Sequence, residues 1–236
     1  ITHPDRFLLM FAPITRSYSS AFTEVGVSPD PLPPFKLNQL QFPTDPAVNL
    51  AFLKAWQEQF PGEGFDFDYH FMWDHFKDPA QYESARVLHR DIQGLRTIGL
   101  DGFMSCQLQR LFFPTGLGMT VLGRTLWDRT LSLRAIAADH VQACYGEKGA
   151  EVLEVLKQLS RLFAPRVLRG EASAEETARA VPGWRRIPQL ANKLAALAAA
   201  GQSSPVACHA ESWRLLGEFA AYCRLLSAAL VAKYTA

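Results

Sequence analysis

The stretch 64–76, GFDFDYHFMWDHF, constrains what this chain can fold into more than any other. It is dense in aromatic and β-favouring residues. Toward its end His70, Met72 and Asp74 alternate with Tyr69, Phe71 and Trp73. A period of two of this kind predicts a strand with one polar face and one face that packs on helices. Helical segments flank the stretch on both sides, so it is expected at the centre of an α/β layer.

The rest of the chain builds around it. RFLLMFAPI at 6–14 is a short, nearly continuous apolar run, as in a parallel strand buried on both faces. It ends in the polar cluster Thr15, Arg16, Ser17 and Tyr18. Residues 19–43 hold PDPLPP and read as a long functional or covering loop. Asp45-Pro46 opens a helix that Pro61-Gly62 stops, Asp supplying the cap and Pro the first helical position. Asp78-Pro79 repeats the signal for a helix that ends at Gly99. LDGFMSCQL at 100–108 is a third strand. Strand, helix, strand, helix, strand describes consecutive right-handed βαβ units. After Pro114 the periodicity is helical at 117–127, 132–145, 150–163, 174–180, 188–200 and 205–234, with Val181-Pro182-Gly183 as a break. The expected fold is α/β and mostly helical overall: a partial (β/α) barrel of parallel strands over residues 1–116, then an all-helical bundle over 117–236.

Composition narrows the function classes. Among 236 residues, 48% are hydrophobic and 20% charged, which argues against disorder. A net charge of +1 gives no global attraction for nucleic acid or an anionic membrane. No continuous apolar run reaches the ~18 residues of a membrane span. The four cysteines form no CxxC pair and sit in apolar contexts, so unpaired thiols in a reducing, cytoplasmic compartment are expected. The sequence opens at Ile1 with neither an initiator Met nor a signal peptide, and the expectation is a trimmed piece of something longer.

Four runs carry a resemblance: RFLLMFAPITRSYS, FDYHFMWDHFKDP, GLDGFMSCQLQRLFFPTGLGMTVLGRTLWD and HVQACYGEKGAEVLEVLKQLSRLF. In order and spacing they resemble the carboxyl-terminal half of an uncharacterised bacterial family that is glycoside-hydrolase-like. That family has a (β/α)8 barrel followed by a helical bundle, and is distantly similar to α-glucuronidases and hexosaminidases. The resemblance spans residues 1–165. It implies part of a protein acting on an oligosaccharide, one that contains a uronic acid or an amino sugar. It also implies that a missing barrel half, or another chain, completes the sheet. No catalytic motif of a characterised member is visible.

In parallel α/β sheets, binding groups collect beyond the carboxyl ends of the strands. After the second strand these are Trp73, Asp74 and His75. Asp74 reads as a general acid or base, as an anchor for a sugar hydroxyl, or as a turn cap. His70 shares its parity and reads as a ligand contact or a satisfied interior histidine. Trp73 reads as a stacking platform or as helix packing. On the third strand Ser105, Gln107 and Gln109 share a parity, and Gln107 is the best placed for hydroxyl recognition. Arg110 and Arg16 stand just beyond their strands, where a guanidinium holds a carboxylate or forms a rim ion pair. His70, Asp74, His75 and His89 have no metal-site spacing, and neither a metal nor a cofactor is expected. Cys106 lacks a thiol-catalysis signature, and Gly116-Leu117-Gly118 is too short for a phosphate loop. Two readings follow: a glycosidase whose pocket is lined by these residues, or a non-catalytic carbohydrate-binding or assembly module. Two rim carboxylates about 5–10 Å apart distinguish the first from the second.

Overall fold

The computed structural model describes the chain apart from Ile1, Phe35, Leu40, Pro61, Trp73, Arg110 and Ala236. Three short strands, β1 (Leu9–Phe11), β2 (Gly64–Asp68) and β3 (Gly102–Ser105), form a parallel sheet in the order β1-β2-β3. Phe11 pairs with Asp66, and Asp66 with Phe103. Helices α1 (Pro46–Gln59) and α2 (Tyr82–Gly94) make the two crossovers. The consecutive parallel units expected from the sequence are therefore present. A closed barrel is not: among the described residues the sheet has three strands.

The helical part comprises α3 (Leu117–Trp127), α4 (Leu133–Tyr145), α5 (Gly149–Leu162), α6 (Pro165–Arg169), α7 (Ala174–Trp184), α8 (Ile187–Gly201) and α9 (Ala207–Thr235). Its core includes Ile136, Leu156, Leu159, Phe163, Trp184 and Phe219, all fully buried. The two parts are continuous. Ala80 and Ala85 join the bundle core, and α2 packs against α3 and α5. The 29-residue α9 has the length and apolarity to cross a membrane, with a window of mean hydropathy 1.5. One stripe of it, Trp213, Leu216, Phe219, Ala220 and Cys223, is buried in the bundle against α8 and α4.

Local signals act as anticipated at α1, where the Asp45 carboxylate accepts from Ala47 N at 2.8 Å and Pro46 takes the first helical position. They act differently at Asp78-Pro79. Here the helix begins only at Tyr82, and the Asp78 carboxylate accepts from Ser84 N at 2.9 Å and from the Ser160 hydroxyl of α5 at 2.5 Å. The cap residue has been recruited to fasten the bundle to the sheet layer. Pro182 does not break α7, which runs on to Trp184. The proline forfeits one i→i−4 bond, and the helix end is held instead by tertiary packing: Trp184 is fully buried and donates its indole N–H to Phe163 O at 3.4 Å. Gly99 adopts φ +78 at the turn before β3, and a Cβ there would meet Gln57 Nε2 at 2.7 Å. That amide donates to Ile98 O and Gly99 O, so α1 also braces this turn.

Two strand readings need correction. β2 ends at Asp68, and the described residues between Tyr69 and Phe76 lie in turns and irregular backbone, so no strand parity relates His70 to Asp74. β3 ends at Ser105, so none relates it to Gln107 and Gln109. The polar face of the sheet is also the covered one. Asp66 and Asp68 are 1% and 2% exposed, while Phe65 and Phe67 on the opposite face are only half-buried. Leu9, Phe11 and Phe103 share the face of Asp66 and pack with Leu50, Leu53 and Leu100. The carboxylates tolerate this position because an arginine and a histidine are buried with them.

Candidate functional site

The carboxyl ends of the strands open into a cleft of about 680 Å³. Thr15, Arg16 and Tyr18, from the segment after β1, form one wall. Asp74 and Lys77 come from the turns after β2. Arg169, which ends α6, and Glu171 beyond it form the opposite wall. The cleft is thus built jointly by the sheet layer and the helical part.

Beneath the first wall lies a buried charge network. Arg16 donates from Nη2 to Asp91 Oδ2 at 2.9 Å and to Ser20 O at 2.9 Å, and from Nε to Ser17 O at 3.3 Å. Its guanidinium lies 3.8 Å from the Phe22 ring centroid and 4.8 Å from that of Tyr18, a cation–π arrangement that suits a desolvated arginine. Burial opposes the Arg16 charge, but Asp91 and the neighbouring carboxylates hold its pKa above the usual value. Asp91 also accepts from Phe22 N at 2.7 Å, so this one α2 carboxylate fixes both ends of the segment 16–22. His70 shares Nδ1 with Asp68 Oδ1 at 2.5 Å. Its Nε2 is 3.5 Å from Asp91 Oδ2, without the geometry of a hydrogen bond. The Tyr18 ring meets the imidazole edge-on at 4.6 Å.

Asp66 is the outlier. Both of its carboxylate oxygens are buried without a hydrogen-bond partner among the described residues. Burial and the adjacent Asp68 push its pKa well above the ordinary carboxyl range, against the pull of Arg16. Asp91 is raised too, by burial first, with Arg16 and His70 opposing. Asp66 and Asp91 are thus both raised, because burial in a low dielectric and the neighbouring carboxylates disfavour their charged forms more than the one guanidinium favours them.

Across the cleft, Asp74 is 2% exposed and clamped by a bidentate pair: Arg169 Nε to Oδ1 at 2.5 Å and Nη2 to Oδ2 at 2.6 Å. Burial opposes the Arg169 charge, but the bonds to Asp74 hold its pKa above the usual value. Arg169 also reaches the Ser19 hydroxyl at 3.3 Å, and that hydroxyl donates to Glu171 Oε2 at 2.5 Å. The cleft contains Lys77 as well, whose ammonium has no ion-pair partner among the described residues.

Of the residues singled out from sequence, Arg16 and Asp74 line this cleft together, and His70 is buried behind it beneath Tyr18. His75 is half-buried beside the Gln81 amide at 3.4 Å, with its pKa lowered by burial. Gln107 is exposed and does not line the cleft. Trp73 and Arg110 lie outside the described residues. The structure adds Asp66, Asp68, Asp91, Lys77 and Arg169. The alternation in GFDFD carried a signal for the first two. Arg169 carried none, because it meets Asp74 across 95 residues of chain. No protein-family model, curated protein or solved structure matches the chain, so the functional reading rests on this geometry.

Proposed function

We propose that the cleft is the saccharide-binding surface of a glycoside hydrolase-like protein, and that the three strands are consecutive members of a (β/α)8 barrel completed by further strands. The observation that carries this reading is the position of the cleft: it opens beyond the carboxyl ends of parallel strands, where such folds bind their ligands. Its chemistry suits a saccharide bearing a carboxylate. Lys77 offers an uncommitted ammonium, and Glu171 offers an acceptor for hydroxyls.

One observation favours binding over hydrolysis by this chain alone. Hydrolysis uses two carboxylates flanking the scissile bond. Both oxygens of Asp74 are engaged by Arg169, so it serves here as an anchor of the cleft wall. A catalytic pair would then draw on carboxylates from completing strands. In the test, a panel of aryl glycosides and aryl uronides is assayed for binding and turnover with the parent chain and with Lys77→Met. Uronides should bind in preference to neutral glycosides, and the variant should weaken the uronide by roughly tenfold, the worth of one charge-assisted hydrogen bond. Equal affinity for both sugar classes, or an unaffected variant, would overturn the reading.

A further inference from the structure

A second concavity, of about 560 Å³, runs along the outer edge of β1, away from the cleft's charged groups. Its lining carries no charged side chain among the described residues. Phe42, Trp56 and Phe60 form its far side, and Phe42, Trp56, Phe7 and Leu8 are each more than half exposed. The polar side chains in it are largely committed. Thr15 gives its hydroxyl to Pro43 O, Asn49 gives its amide to Pro43 O and Asp45 O, and Gln41 is exposed to solvent.

What remains is the strand itself. Leu9 N donates to Glu63 O, on the β2 side. Because successive residues alternate, the peptide groups of Leu8 and Met10 point along the open edge. β1 pairs with β2 and with no other strand among the described residues. Met10 projects from the uncovered face of the sheet and is 54% exposed. Parallel strands occur almost always buried on both faces, and open edges are sites of strand addition.

We propose that this groove docks an extended, uncharged, apolar peptide segment, which adds to β1 as a fourth strand. A strand is the occupant that satisfies both parts of the surface at once: its backbone meets the row of peptide groups at Leu8 and Met10, and its side chains meet the aromatic wall. A charged helix or a polar ligand would leave one of the two unmet. Such docking rests on the reading of the sheet as one completed by further strands and assigns the β1 edge to that addition; the uronide titration separates its failure from that of the saccharide cleft.

The probe is a short, acetylated and amidated peptide of alternating valine and threonine, titrated into the full chain while amide hydrogen exchange is followed. At saturation the amides of Leu8 and Met10 should exchange at least about tenfold more slowly, while amides of the bundle core stay unchanged. Met10→Pro removes the outward donor and leaves the Leu9 bond to β2 in place. It should weaken peptide binding about tenfold. Leu8→Lys, which places a charge at the groove, should do the same if the proline variant does not fold. Uronide affinity should be unchanged in both. Unprotected edge amides at saturation, or binding indifferent to both substitutions, would overturn the proposal. So would a chain that sediments as a dimer through this edge and excludes the peptide, because the occupant would then be a second copy.

Discussion

Replacing Arg169 with methionine should destabilise the protein by about 3–5 kcal/mol, the cost of breaking a buried ion pair from one side. Its side chain is 7% exposed and that of Asp74 is 2% exposed. The substitution leaves a desolvated carboxylate without either of its hydrogen bonds. It also removes the contact that ties α6 to the Ser19 hydroxyl and so to the loop after β1. The double variant Arg169→Met, Asp74→Leu should recover most of the loss, because no buried charge then remains. Urea unfolding midpoints of the two single variants and the double variant form the cycle. A loss below about 1 kcal/mol for Arg169→Met would place the pair with ordinary surface bridges and remove its structural role.

Asp66→Asn should stabilise the protein at neutral pH by an amount on the order of 1–3 kcal/mol, because each pKa unit by which the fold raises a carboxyl is worth about 1.4 kcal/mol. The folded protein holds the Asp66 proton well above the ordinary carboxyl range, while the unfolded chain releases it near pH 3.9. Over that window the folded state binds more protons than the unfolded state, so stability falls as pH rises. The full contribution is present below the unfolded value and is lost as pH climbs through the folded one. Asparagine keeps the size of the side chain and does not titrate. It also removes one of the three carboxylates buried together here. The advantage of the variant should therefore grow from near zero at low pH. Asp91 and Asp78 are also raised by burial and retain part of the slope. Unfolding measured against pH checks this, and an advantage that shrinks as pH rises would contradict it.

How far the sequence reveals these features depends on the range of the interactions involved. Asp45-Pro46 acts within its own turn, and the helix starts where it predicts. Asp78-Pro79 is the same signal with a different outcome, because Ser160, 82 residues away, claims the carboxylate. The parallel order of the strands is legible from apolar runs separated by helices. Their lengths are not, since residues 69–76 keep a β-like alternation in sequence although the strand has ended, and of the described ones only Asp74 lines the cleft. The alternation in GFDFD places Asp66 and Asp68 on one face. Only the meeting of Arg16, His70 and Asp91 from three segments explains why that face, and not the phenylalanine face, is buried under helices. Of the cleft, the sequence marks Arg16 and Asp74 by their positions past strand ends. Arg169 enters from a five-residue helix that no periodicity announces.

We propose that a carboxylate-bearing saccharide binds in the cleft at the carboxyl ends of the strands. Chemical-shift mapping of the full chain titrated with an oligosaccharide of uronic acid tests it most directly. Shifts should saturate and be concentrated at Thr15, Arg16, Lys77, Arg169 and Glu171, with the β1 edge and α9 unmoved. Saturating shifts centred elsewhere, or no shifts with uronide in large excess, would contradict it.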